Sequence, residues 1–187
     1  MFLRKKNRRI ADFGAIIYNK IVKQSRSIGF YKTLGVPDTL DGRFELIVLH
    51  FFMIDYVIDK NINKNKEIYE AILDIMYKDF DMSLREMGVG DLSVGKKIYQ
   101  MTEAFSGRIV VYRGLNLKKV NEKAKQALKR NLYGTIRDIN TNNIEIVLKY
   151  VIDSIKNIHN INLCDIKENS SIFLDLNRYI VNKKRNK

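Results

Sequence analysis

Apolar residues recur at helical spacing along most of this chain, and the breaks between runs fall at glycine, proline and polar clusters. Ile10, Phe13, Ile17 and Ile21 make one stripe with Lys20, Lys23 and Arg26 elsewhere on the surface, which predicts a first helix over residues 10–26. Residues 27–39 read as a connector holding Gly29, Gly35 and the single proline, Pro37, after which Asp38 or Thr39 caps a new helix. That second helix, residues 40–59, is the most apolar and is expected to be central. At about 100° per residue, Asp41, Glu45, Asp55 and Asp59 fall on one side of it, and Arg43 and His50 on the opposite, mostly apolar side. An Arg43 facing the interior would need a carboxylate, and His50 reads as a satisfied core histidine.

Residues 60–66 read as a polar loop, and a third helix follows to about Met87 with Ile68, Ile72, Ile75, Met76 and Phe80 inward. Gly88 and Gly90 end it, since glycine readily takes the positive φ that a helix C-terminus wants. Asp91 or Ser93 caps a fourth helix, whose stripe is Val94, Ile98, Met101, Phe105 and Tyr112, with Arg108 within it. A fifth helix is expected over residues 117–133, with Val120, Ala124, Ala127 and Leu128 inward, and Gly134 stops it. Asn142 or Asn143 caps a sixth, faced by Ile144, Val147, Leu148, Val151 and Ile155. Residues 172–180 form a last short element whose type the pattern leaves open, and residues 181–187 a basic tail. The fold class is therefore all-α: a single compact helical domain of about six to seven helices with a basic N-terminal arm and a basic C-terminal tail.

Composition supports this picture and narrows the function. Of 187 residues, 45% are hydrophobic, enough for a real core, and one proline with ten glycines leaves few helix breakers. Cys164 is alone, which fits a reducing compartment, and with His50 and His159 it makes a zinc site improbable. The longest apolar run, residues 44–58, is broken by Glu45, His50 and Asp55 and is short of a membrane span, and no signal peptide is recognisable. The net charge of +13 divides into +7 over residues 1–30, −2 over 31–115 and +8 over 116–187. Basic ends suit a polyanion such as RNA, a ribosome or an anionic membrane face; the basic first helix could also lie on a lipid surface or simply face the core.

Residues 79–113 carry the densest set of residues with a chemical reason to be there. Gly90 to Lys97, with Gly95 and Lys96, nearly matches a phosphate-binding loop, but Lys97 replaces the magnesium-binding hydroxyl and no strand precedes it. Asp79, Asp81 and Ser83 begin like a calcium loop, yet Leu84 stands at the turn glycine and Gly90 at the last carboxylate. Asp79, Asp81, Glu86 and Asp91 could gather magnesium, but Arg85 balances them without a metal; neither metal nor cofactor is expected. No nucleophile–base set assembles, so a binding protein is favoured over an enzyme. Arg43, Asp79, Asp81, Arg85, Glu86, Asp91 and Arg108 are expected to form a charged network that fixes the glycine corner. Met82, Met87 and Met101 either line an adaptable apolar surface or belong to the core.

Two segments, LGVPDTLDGRFELIVLHFFMI and DFDMSLREMGVGDLSVGKKIYQMTEAFSGRIVVY, closely resemble the ubiquinol–cytochrome c chaperone family, the assembly factors of respiratory complex III. The resemblance covers about Ser27 to Gly134, and LREMGVGDLSVGK is its most unusual run. It divides the chain into a basic N-terminal helix (1–26), a family core (27–134) and C-terminal helices with a basic tail (135–187), within one globular unit. It implies an all-helical protein at the cytoplasmic face of the inner membrane that binds newly made cytochrome b during complex III assembly. It also implies a small helical partner and docking near the ribosomal exit tunnel, and it carries over no catalytic residue. The client groove is expected where the second, third and fourth helices meet, around Met87 to Lys97, with Gly88, Gly90, Gly95, Lys96, Met101 and Phe105 in its frame. Two other classes are weighed: a ribosome- or RNA-binding module using the basic termini, and an enzyme on a prenyl or quinone-like lipid with an acidic metal site at Asp79 and Asp81.

Overall fold

Seven α-helices and no strands make up the described residues of the computed structural model, which are 2–59, 62–161 and 166–180, with the side chains of 2–7, 59 and 62–64 left aside. In chain order they are α1 (Phe2–Ser25), α2 (Ile28–Lys32), α3 (Leu40–Asp59), α4 (Ile62–Glu86), α5 (Asp91–Arg113), α6 (Glu122–Leu132) and α7 (Thr141–His159). The all-helical expectation holds. The N-terminal basic cluster before Arg8, Cys164 and the 181–187 tail lie outside the residues whose side chains are described.

Helix α3 is the axis of the bundle. Leu46, Val48, Leu49, Phe51, Phe52, Met53 and Ile54 are all essentially inaccessible, so beyond its exposed first turn the helix is enclosed by its neighbours. Each such side chain contributes about 1.5–3 kcal/mol relative to exposure. α1, α4, α5, α6 and α7 all pack against α3. Thr39 caps α3, its Oγ1 accepting from the Gly42 N–H at 3.2 Å. α1 lies closest to α4, where Gly14 sits so near Ala71 that a Cβ there would come within 2.8 Å of the alanine Cβ. Ile17 and Ile21 of α1 are fully buried in this layer, so the C-terminal part of the amphipathic stripe faces the core.

Several boundaries differ from the sequence reading. The 27–39 connector contains the short helix α2, which buries Phe30. The expected 60–66 loop is mostly helix, because α4 already begins at Ile62 and Lys and Asn there are weak rather than absolute breakers. The fifth predicted helix starts later: Asn121 caps α6, accepting from Ala124 N–H, and Val120 faces outward. Asn140, not Asn142 or Asn143, caps α7. Residues 166–176 run irregularly to a closing helical turn at 177–180, tied down by Lys20 Nζ to the Glu168 carbonyl (2.7 Å) and by Asn157 to the Ile172 carbonyl (3.0 Å).

His50 is the expected core histidine. Its Nδ1–H donates to the Leu46 carbonyl at 2.7 Å, and Nε2 accepts from the Tyr150 hydroxyl at 2.9 Å, which joins α3 to α7. Phe30 and Phe173 stand edge-on to the ring, at 5.3 and 5.0 Å between centroids. Burial pushes the imidazole down to about 4. The unfolded chain binds this proton near the ordinary value of about 6.5, the native chain only near 4. Stability is therefore lost as pH falls through that window, by about 3 kcal/mol for this group. Denaturant titrations across the window should show that His50→Gln is less stable near neutrality and has a flatter acid slope than the wild type.

Candidate functional site

Two ion pairs, each with a buried carboxylate and a partly exposed arginine, place α5 against α3. Arg108 donates through Nε and Nη2 to Glu45 Oε1, at 2.9 and 2.7 Å. Arg113 grips Asp55 in a two-pronged pair, at 2.8 and 2.6 Å. Asp55 is wholly inaccessible and Glu45 nearly so. Burial raises the Glu45 carboxyl above its ordinary range, while Arg108 pulls it back down. The acidic side of α3, which the sequence places opposite the apolar side, is thus an interior face answered by arginines.

The expected single charged network is split into four separate sets. Arg85 alone pins the glycine corner: it holds Asp81 one turn earlier, Nε to Oδ2 at 2.7 Å, and reaches across the turn to Asp91. Arg108 belongs to Glu45 instead. Arg43 does not face the interior; it is exposed and pairs with Asp38 at 2.7 Å. Asp79 accepts from the Tyr18 hydroxyl of α1 at 2.6 Å. Glu86, Lys96 and Gly95 are exposed, and Phe105 is buried edge-on against Phe51 at 4.9 Å.

The corner itself ends α4 by a pair of reverse hydrogen bonds. Gly88 N–H donates to the Arg85 carbonyl and Val89 N–H to the Leu84 carbonyl, at 2.9 and 3.0 Å. Gly88 takes φ +80°, the left-handed region. Gly90 does not: at φ −62° it is an extended N-cap for α5, so its φ demands no glycine, and neither Asp91 nor Ser93 occupies the cap.

Beside this corner lie two adjoining cavities of about 450 and 430 Å³, which share Leu40, Phe44, Leu84 and Met101 as a common floor and wall. The first runs toward the end of α6, past Lys97, Arg108, Arg130, Leu132 and Thr135. The second runs toward α1 and α2, past Tyr31, Asp38, Arg43, Asp79, Glu86 and Met87. Together they form a groove across the N-terminal half of α3, where α3, α4 and α5 meet. Met87 and Met82 are more than half exposed, and Met101 is half-buried in the groove wall. The sequence reading brought Arg43, Asp79, Glu86, Met87, Lys97, Met101 and Arg108 to the groove and missed Glu45, Leu40, Phe44 and the α6 end. On the outer face of α5, away from the groove, Leu92, Tyr99 and Val110 are exposed. Among the described residues, no cluster of His, Cys, Asp or Glu is arranged to hold a metal ion, and no helix is long and apolar enough to cross a membrane.

Two substitution sets test this geometry. Gly88→Val forces a branched side chain into the left-handed region and should cost at least ~1–2 kcal/mol in denaturant unfolding, whereas Gly90→Val should cost much less. Arg108→Met should cost about 2–3 kcal/mol by stranding Glu45, reduced from a fully buried pair because Arg108 is one-third exposed. Glu45→Leu combined with Arg108→Met should recover most of that loss in a double-mutant cycle.

The comparisons agree with this architecture. The family model described as ubiquinol-cytochrome C chaperone matches residues 32–171, so the match extends through α7, beyond the segment whose resemblance is readable by eye. A crystal structure of the Cbp3 homolog from Brucella abortus aligns with a TM-score of 0.77 at 25% sequence identity, over 95% of this chain and 97% of that one. No curated protein matches the sequence. With three-quarters of its length matched and the same fold along nearly all of it, this chain belongs to the ubiquinol-cytochrome C chaperone family.

Proposed function

We propose that the protein is a non-enzymatic assembly chaperone that holds newly made cytochrome b, during assembly of the ubiquinol–cytochrome c reductase complex, in the groove across α3. The observation that carries this reading is the paired cavity beside the Gly88 corner: apolar in its floor, methionine-lined at its edge and framed by rigid ion pairs. Leu40, Phe44, Leu84 and Met101 give a client apolar contact without a preformed small-molecule shape. Methionine suits that task, because its unbranched thioether adapts to different partner shapes. The family description supports a client from that complex, and the reading places the work at the cytoplasmic face of the inner membrane, where such a client would enter it.

The test is capture of the client. Leu40→Asp and Met87→Asp place charges on exposed groove positions, so both variants should fold with unchanged melting temperature. Each should lose most of the cytochrome b that co-purifies with the wild type from detergent-solubilised membranes. Val110→Asp, a more exposed apolar site on the outer face of α5, should keep it. Undiminished cytochrome b on the two groove variants would refute the reading.

A further inference from the structure

The outer face of α5 is apolar, exposed and unused by the groove. At about 100° per residue, Leu92 and Val110 share one azimuth of the helix, and Tyr99, Glu103 and Lys96 lie within about 40° of it. Leu92 is wholly exposed, and Tyr99 and Val110 are more than half exposed. The groove residues Lys97, Met101 and Arg108 lie on another side, about 140–180° from Leu92. Among the described residues, no ion pair takes up Lys96 or Glu103. These two stand about 10 Å apart along the helix, too far to pair with each other. Gly95 and Gly107 flank the face in mid-helix, where glycine is a poor helix former. A Cβ at either would meet no other element of the chain within 4 Å, so internal packing requires neither glycine.

We propose that two copies of the chain pair through this face, α5 against α5 in antiparallel sense, about a twofold axis at the level of Tyr99 and Gln100. The spacing of the charges selects a second copy as the occupant. A twofold at that level sets Lys96 of each copy beside Glu103 of the other, so the unpaired charges of the two chains become two ion pairs. The same operation lays Leu92 over Gly107 of the second copy, where the missing side chain leaves room, and against Val110 one turn further on. The two Tyr99 side chains meet near the axis. A parallel pairing would set Lys96 on Lys96 and Glu103 on Glu103, and repulsion disfavours it. A polyanion or an anionic membrane would meet Glu103 in the middle of the face. An unrelated protein gives no reason for one end of the face to match the other; a surface meeting its own copy does. The groove stays open in each copy, since Met101 and Arg108 lie on the side of α5 away from the axis. One helix pair is a small interface, so the dimer dissociates in about the micromolar range.

Sedimentation velocity on the purified full chain, over a concentration series, reads the pairing. The wild type should shift from monomer to dimer as concentration rises. Lys96→Glu and Glu103→Lys each bring like charges together twice and should weaken the dimer about tenfold or more. The combined Lys96→Glu/Glu103→Lys should restore it, because the exchanged charges still meet their opposites. Leu92→Asp should leave a monomer. All three positions are exposed, so melting temperatures should not change. Recovery by the charge exchange is a result that a weakened fold or a different contact face would not give. A wild type that stays monomeric up to about 1 mM overturns the proposal. A dimer that ignores the single reversals, or one lost by them and not recovered by the exchange, overturns it as well. None of these readouts involves the client, so failure here leaves the groove reading standing.

Discussion

Two carboxylates on the enclosed part of a helix set the terms for the rest of the molecule. Beyond its exposed first turn α3 is enclosed by its neighbours, yet it carries Glu45 and Asp55 into the interior. An unpaired charge there is intolerable, so both arginines that answer them, Arg108 and Arg113, must stand on the element packed alongside. That element is α5. The two acids are about 15 Å apart along α3 and the two arginines about 7.5 Å apart along α5, and the long guanidinium side chains absorb the difference. The pairs add little to net stability compared with an apolar interface. What they supply is position, since few other registers of α5 on α3 bring both arginines onto both acids.

With α5 fixed, the corner that leads into it is fixed too. Gly88 ends α4 in the left-handed region and Arg85 spans the turn from Asp81 to Asp91. The groove lies between these two rigid devices. Its frame is held by charge and backbone geometry, while Met87 and Met101 on its walls are soft side chains. On the proposed reading, this separation lets a chaperone keep one fold while accepting a client that is not yet folded.

Much of this was readable in the residues. The helical periods of α3, α4, α5 and α7 survive in the structure, with Ile72, Met76, Phe105 and Val147 inward as spacing requires. The Gly88 stop was legible because its chemistry is local. Charge pairing was not. Periodicity puts Glu45 and Asp55 on a polar side of α3, and only the placement of α5 shows that this side is interior. Arg43 failed for the complementary reason: it sits near the helix start, where Asp38 in the preceding loop captures it outside the core. The loop forecast at 60–66 failed because weak helix propensity yields when the following amphipathic run extends backward. Of the expected 87–97 span only Met87 and Lys97 line the cavities, and the α6 wall was not legible because it is brought to α3 by tertiary packing alone.

The same constraint that organises the core also shapes the groove. Arg108 meets Glu45 through one oxygen only, since Nε and Nη2 both donate to Oε1. Rotating Arg108 to share both oxygens would have satisfied the acid internally, as Arg113 does for Asp55. The two pairs thus solve one electrostatic problem in two ways. At Asp55 both carboxylate oxygens are bonded, and the acid lines neither cavity of the groove. At Glu45 the solution is half-complete, and this acid is the one that lines the first cavity. At both acids the guanidinium fixes α5 on α3, and the difference between the pairs lies in how many carboxylate oxygens it reaches.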